Sequence, residues 1–394
     1  MEKRMDLQNK VALVRVDFNV PMQSGIVLDD FRIRQPLNTI KDLHARGAKV
    51  VLMSHLGKTT LKNDEQSLKQ LIPIIEEIYG SKVRFIDDCI ASNAKEIISN
   101  TPQADIILLE NLRFYVDEEL CNLDFAKKLA SLGDIFVNEA FSVSHRKHAS
   151  IFGIPKYLPS VLGENFRTEI QVADKFFSDK SGKKMAIIGG SKLHSKVALL
   201  KALVKDVDTL ALGGGIAGAF LAHLGNSTLK IFDPKEFEDD VQEIISNAKQ
   251  HNCELLMPID FSALISSDSG VDCAIISSEH DQASVFDIGP QTVKLFQEHI
   301  AQSKTVLWNG PVGLFEKMPF DYGTKALAQF IAQRTQENEL TSIVGGGDTG
   351  FAMKKFGVFD KISYVSTAGG AFLSYLEHNE FPGLTAVMHS EINK

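Results

Sequence analysis

Short runs of β-branched and aliphatic residues alternate with longer helix-patterned segments along all 394 residues, and this alternation constrains the fold more than any other feature. A strand, an amphipathic helix and a second strand form a βαβ unit, which sets its strands side by side in a parallel sheet. Strands are expected at 11–16, 49–54, 83–87, 104–109 and 134–138, with helices near 35–46, 66–79, 92–100 and 123–132. The pattern resumes with strands near 185–189, 209–212, 254–258, 304–308, 341–345 and 362–366. Helices near 194–206, 214–224, 236–251, 290–302, 322–336 and 349–357 cross over between them. A chain of this length exceeds one ordinary domain. The segment 151–166, IFGIPKYLPSVLGENF, carries two prolines and two glycines and is the expected boundary, followed by a helical spacer at 166–178. No period of roughly 20–50 residues recurs, so two similar architectures are expected rather than a solenoid.

Several function classes fall away on composition and charge. The apolar runs are far shorter than the roughly 18 residues of a membrane span. The opening MEKRMDLQNK is polar and shows no signal-peptide pattern, so a cytoplasmic protein is expected. Cys89, Cys121, Cys253 and Cys273 form no CxxC pair and suggest no disulfide framework. Forty-two basic against 50 acidic side chains leave a net charge of −8, which works against nucleic-acid or anionic-membrane partners. Eight of the ten arginines lie before residue 160. Guanidinium suits bidentate recognition of carboxylate and phosphate, so the first half is expected to hold a small anion. Solvated surface charge accounts for Arg4, Arg46 and Arg84.

In open parallel sheets ligands bind beyond the carboxyl ends of the strands. In the first half these ends lead into Asp17-Phe18-Asn19, His55-Leu56-Gly57-Lys58, Glu110-Asn111-Leu112-Arg113 and Ser144-His145-Arg146-Lys147-His148. Any one of these reads as an ordinary loop; four on one sheet edge point to a small-anion site. The second half carries glycine clusters instead: Gly189-Gly190 before Ser191-Lys192, Gly213-Gly214-Gly215, Gly345-Gly346-Gly347 before Asp348, and Gly369-Gly370. Glycines between strand and helix let backbone N–H groups face phosphate oxygens. Lys192 and Lys196, four apart at a helix start, are expected on one face. Asp348 suits either a magnesium ion or a helix N-cap.

One motif points elsewhere. Gly213 to Gly218 satisfies GxGxxG between a strand and a helix, with Asp233 twenty residues after Gly213, the pattern of a dinucleotide-binding oxidoreductase. The other glycine clusters and the paired lysines exceed what that fold needs, and phosphate transfer explains more of the chain.

The segments VRVDFNVP (14–21), MSHLG (53–57), LLENLRF (108–114), HRKHAS (145–150), GGSK (189–192), WNGPVGLFE (308–316), GGGDT (345–349) and STAGGAFL (366–373) resemble the phosphoglycerate kinase family, in order, from residue 11 to about 386. The resemblance implies an α/β fold of two Rossmann-like, doubly wound parallel-sheet domains joined by a hinge. Residues 1–164 would form the 3-phosphoglycerate domain, with 377–394 packing back on it, and 165–376 the nucleotide domain. It implies reversible phosphoryl transfer from 1,3-bisphosphoglycerate to ADP, giving 3-phosphoglycerate and ATP in glycolysis, with Mg2+ accompanying the nucleotide, in a monomer that closes about its hinge. Asp17, Phe18, Asn19, Arg32, His55, Leu56, Gly57, Lys58, Arg113 and Arg146 then match substrate-binding positions. Lys192, Lys196, Gly213, Gly214, Glu316, Gly345, Gly346, Gly347, Asp348 and Thr349 match the nucleotide site, with Asp348 toward the metal and Arg32, Lys192 and Lys196 as catalytic groups. Lys58 stands where the family usually has arginine. Glu139, Ser142 and Val143 replace its usual Asp, Gly and Thr, Ala368 interrupts a usual glycine triplet after Thr367, and Leu193-His194-Ser195 is unusual between the lysines. Besides the kinase and the oxidoreductase, a nucleotide-binding interaction module with impaired catalysis is a third reading.

Overall fold

The computed structural model describes residues 6–225, 237–267, 270–277, 284–366, 368–378 and 380–390, so Asp233 and Thr367 lie outside the described residues. The chain forms two compact units, residues 1–171 with 378–394, and residues 172–377. The helix Glu164–Ser178 runs across the point of division.

In the first unit six parallel strands lie in the order Val83–Ile86, Ile106–Leu109, Lys49–Met53, Val11–Arg15, Ile135–Asn138, Ser160–Leu162. Successive side chains on a strand point to opposite faces, and both faces are covered here. Val14, Val50 and Leu52 enter one core with Ile40 and Ile75. Leu13, Val51 and Ile107 enter the other with Phe125 and Leu129. That double burial explains the almost unbroken apolar runs in these strands. The last segment of the chain belongs to this unit. Phe381 packs its ring 5.0 Å from that of Phe141, and Val387 of the helix Pro382–Met388 enters the second core.

The second unit repeats the theme: Glu254–Leu256, Thr209–Leu212, Lys184–Ile188, Thr305–Asn309, Thr341–Gly345 and Tyr364–Ser366 lie in that order, all parallel. Numbered along the chain the order is 3-2-1-4-5-6, so the direction of winding reverses between Lys184–Ile188 and Thr305–Asn309, the position at which open α/β sheets take their ligands.

Four features depart from the sequence reading. The proposed boundary segment contains an edge strand, Ser160–Leu162, paired to Phe136–Asn138. Pro159 lies just before it, a position from which no ladder hydrogen bond is lost. The expected helix 66–79 divides into a 3-10 turn, Leu68–Leu71, and the α-helix Ile72–Tyr79, with Pro73 in its first turn. The expected helix 194–206 divides likewise into Leu193–Ser195 and Val197–Leu203. Finally, Asp260–Ser267 pairs antiparallel with Gly270–Ser277 and Ser284–Ile288 in a three-stranded sheet that the βαβ pattern did not foresee.

The start of the long helix is tied to the first sheet through Glu139. Its carboxylate accepts from the hydroxyl of Thr39 and from the amide of Asn165 at 3.1 Å, while Thr39 Oγ1 accepts from the Glu164 amide at 3.0 Å. Burial, only partly offset by these donors, pushes Glu139 up from 4.5 to about 7. A carboxyl whose folded pKa is raised lends stability below its unfolded pKa and loses it as pH rises through the folded one. Stability is therefore expected to fall between pH 4.5 and about 7 by about 3 kcal/mol from this group. Glu139→Gln should flatten that fall, as read from urea midpoints at pH 5 and pH 7.5. An unchanged pH dependence would remove Glu139 as its source.

Candidate active site

In the first unit the predicted residues gather beyond the carboxyl ends of Val11–Arg15, Lys49–Met53, Ile106–Leu109 and Ile135–Asn138. Arg32, from the short helix Phe31–Arg34, places Nη1 3.0 Å from Asp17 Oδ2 and donates to the Asn19 carbonyl at 2.9 Å. Burial alone would raise the pKa of Asp17. Arg32, helped by His55, the Ser142 hydroxyl and the Asn19 amide, holds it below the usual carboxylate range. Ser142, one of the departures from the family pattern, donates its hydroxyl to Asp17.

His55 is buried, with Nδ1 3.4 Å from Arg15 Nη2 and 3.8 Å from Asp17 Oδ1. Burial, and after the opposing pull of Asp17 the charges of Arg15, Arg113 and Arg32, push its pKa down to about 3. The ring is therefore neutral at physiological pH. Its nearest partner at Nδ1 is a permanent donor, an arrangement that suits a proton on Nε2.

The loops are stitched together by amide side chains. Asn19 Oδ1 accepts from the Gly57 amide at 3.0 Å. Asn111 accepts from the Leu56 amide at 3.1 Å and donates to the Leu56 carbonyl at 2.7 Å. Phe18 and Leu56 themselves are core side chains, and the Phe18 amide is already bonded to Ser54 Oγ at 2.8 Å. They shape the loops rather than present side chains at the edge. Arg113 is buried with Nη1 2.8 Å from Glu119 Oε1, and its Nε has no hydrogen-bond partner among the described residues. Lys58 and Arg146 are exposed, Arg146 Nε donating to His145 Nε2 at 3.1 Å. The sequence reading passed over Arg15, which is fully buried at the centre of this cluster. A single charged residue inside the apolar run VALVRV was the signal.

In the second unit the site collects at the switch point. Asn309, which the sequence reading did not single out, closes the strand Thr305–Asn309. Its Oδ1 accepts from Lys196 Nζ, and its Nδ2 donates to the Gly345 carbonyl at 2.6 Å. Thr349 Oγ1 accepts from the Gly310 amide at 2.7 Å, tying the start of the helix Gly347–Lys355 to the same loop. Burial, against the attraction of Glu377 and Asp348, pushes the Lys196 ammonium down to about 8. Lys192 is exposed at the start of the turn Leu193–Ser195, so the two lysines do not share one α-helical face as expected. Glu316 is exposed on a loop whose carbonyls at Phe315 and Glu316 accept from Lys355 Nζ at 2.6 and 3.2 Å. Asp348 is exposed in the first turn of its helix, but the N-cap is Gly346. The capping alternative for Asp348 is thereby removed.

Gly213 caps the helix Gly214–His223, with Gly214 inside its first turn and Gly218 buried within it. This GxGxxG follows Thr209–Leu212, one strand away from the switch point where a dinucleotide pyrophosphate would sit. No group of three or more metal-ligating side chains occurs among the described residues. A lone carboxylate at a glycine-rich helix start still fits Mg2+, which is commonly held by one or two carboxylates together with substrate phosphates.

Known proteins match this chain over nearly its whole length. The family model for phosphoglycerate kinase matches residues 3–379. Curated phosphoglycerate kinases of Xanthobacter flavus and of Wolbachia from Culex pipiens are 40% and 42% identical, over 98% and 97% of both chains. The structure of phosphoglycerate kinase from Coxiella burnetii is 34% identical with a TM-score of 0.86, and that from Pyrococcus horikoshii OT3 26% identical with a TM-score of 0.82. Each comparison covers 98% of both chains. The chain belongs to the phosphoglycerate kinase family.

Proposed function

We propose that the chain catalyses reversible phosphoryl transfer between 1,3-bisphosphoglycerate and ADP, yielding 3-phosphoglycerate and ATP, as a cytoplasmic, monomeric enzyme of glycolysis. The observation that carries this reading is the unequal chemistry of the two sheet edges. Guanidinium and imidazole groups crowd the first, and glycine turns around a half-buried lysine, Lys196, form the second. The first suits a small phosphorylated carboxylate and the second a nucleotide phosphate chain. Residues 1–164 with 377–394 accordingly serve 3-phosphoglycerate and 165–376 the nucleotide. With donor and acceptor on different units, transfer requires the units to close and exclude the water that would hydrolyse an acyl phosphate.

The acceptor carboxylate is ionised at neutral pH and needs no general base, so the neutral His55 acts as a hydrogen-bonding group. Asp17, Asn19, Arg113 and Arg146 bind and orient the triose, with Gly57 and Lys58 on the adjoining loop. Transfer passes through a loose transition state whose charge spreads over equatorial oxygens. Arg32 and Lys196 stabilise that charge, with Lys192 as a second, more exposed cation. Thr349 and the amides of Gly345, Gly346 and Gly347 hold the phosphates, Glu316 meets the ribose, and Gly213 and Gly214 lie on the adenine side. Asp348 would hold Mg2+, which when bound offsets phosphate charge. The decisive assay is ATP consumption dependent on 3-phosphoglycerate, with the acyl phosphate trapped by hydroxylamine. ADP binding without such turnover would favour the interaction module instead.

Three outcomes follow from these roles. Arg32→Ala should lower kcat by about 3–4 kcal/mol in transition-state stabilisation while changing either KM far less. A large rise in the 3-phosphoglycerate KM at constant kcat would assign Arg32 to ground-state binding. Because Gly346 is the cap, Asp348→Asn should leave the ligand-free melting temperature nearly unchanged, yet weaken ADP binding about tenfold when Mg2+ is present and little in its absence. Equal losses with and without Mg2+, by calorimetry, would overturn the metal assignment. The Lys196 ammonium loses its proton as pH rises through about 8, so ADP affinity of the free protein should decline above that pH. Lys196→Arg, permanently charged, should remove the decline, and a decline that persists would exclude Lys196 as its cause.

A further inference from the structure

Glu118 has no exposed surface, although it lies in a short helix, Val116–Glu119, whose other residues reach solvent. Both of its oxygens are satisfied by one residue. Ser150 donates its hydroxyl to Oε1 at 2.5 Å and its amide to Oε2 at 2.8 Å. A carboxylate only accepts, so the single hydroxyl proton of Ser150 is committed to Glu118, and the hydroxyl oxygen is left to accept from Arg15 Nε at 2.8 Å. Arg15 also donates from Nη1 to the Val16 carbonyl. A guanidinium is planar, so fixing Nε and Nη1 fixes Nη2, and Nη2 is the atom 3.4 Å from His55 Nδ1.

We propose that Glu118 is a positioning residue for the substrate site: acting through Ser150, it sets the plane of Arg15, whose Nη2 keeps His55 Nδ1 an acceptor and leaves the His55 proton on Nε2. The consequence for substrate rests on the reading of the first unit as the 3-phosphoglycerate site; the tautomer of His55 does not. Glu118 is fully buried with both oxygens engaged by Ser150, so its removal should act on triose binding and not on transfer.

The experiment combines imidazole 15N NMR of the ligand-free full chain with steady-state kinetics on the wild type, Ser150→Ala and Glu118→Gln. Wild-type His55 should show the Nε2–H tautomer. Ser150→Ala deletes the link with one atom and leaves Glu118 beside Arg15; it should populate the Nδ1–H form and raise the 3-phosphoglycerate KM about tenfold, with kcat and the ATP KM within about twofold. Glu118→Gln should move both readouts the same way. A role confined to stability would lower the melting temperature without changing the tautomer or separating the two KM values. Wild-type His55 found as Nδ1–H overturns the proposal with no variant needed. So does Ser150→Ala with an unchanged tautomer and KM. If the wild type shows no 3-phosphoglycerate-dependent turnover, the functional reading fails, and the tautomers of wild type and Ser150→Ala alone decide the positioning role.

Discussion

Each six-stranded sheet is packed on both faces, and this double burial determines where functional groups can stand. Side chains pointing up or down from Val11–Arg15 or Thr305–Asn309 meet core, not solvent. Only the strand ends remain, and all strands in a parallel sheet end on the same side. Groups distant in sequence, such as Asp17, His55, Arg113 and Ser142, therefore reach one edge, where hydrogen bonds such as Ser142 to Asp17 and Gly57 to Asn19 join their loops. The winding reversal then selects a position along that edge. In the second unit it lies between Lys184–Ile188 and Thr305–Asn309, and Asn309 stands there bonded to both Lys196 and Gly345.

Crowding cations into half-buried loops carries a large desolvation cost, and the first unit offsets it with carboxylates placed beneath or beside three of the guanidiniums. Arg32 has Asp17, Arg113 has Glu119, and Arg15 reaches Glu118 through Ser150. Removing one partner of such a pair leaves a buried charge uncompensated, which is far costlier than losing an exposed pair. His55 and His148 answer the same field differently. Burial and the surrounding arginines push both down to about 3, so they remain neutral donors or acceptors among fixed charges. The site is thus arranged before ligand arrives, which is the condition for electrostatic stabilisation without reorganisation.

The fold class was legible because near-continuous apolar runs separated by helix-length segments leave few alternatives, and the helices Pro290–Gln302 and Tyr322–Gln336 fall on their expected spans. The candidate residues at strand ends were legible for the same reason. Arg15 was not, because a charged residue inside a strand was counted only as one of many arginines. Asn309 was hidden inside WNGPVG, where the tryptophan and glycines draw the eye to turn geometry. The antiparallel sheet was missed for a different reason. Phe261 and Ala263 enter one small core at period two with Ser262 between them, but a half-buried strand of this kind lacks the unbroken apolar run that marks the parallel strands. Lys192 and Lys196 were placed on one helical face by spacing alone, and a 3-10 turn between them changes the angular step.

The glycine clusters show why composition overstates a binding loop. A Cβ at Gly213 would stand 2.7 Å from Val312 Cγ1, and one at Gly346 2.7 Å from Asn309 Nδ2. Those glycines are required by the approach of neighbouring protein segments, whatever binds. Around Gly190 and Gly347, by contrast, a Cβ would meet nothing within 4 Å. Gly347 opens the first turn of Gly347–Lys355, where N–H groups without intrahelical partners and a positive helix end favour an anion. The same residue type thus serves two purposes in one loop system. Packing glycines bring strand ends close enough to share Asn309, and the open ones leave the backbone uncovered, Gly190 being held in addition at a φ of +104° that favours glycine.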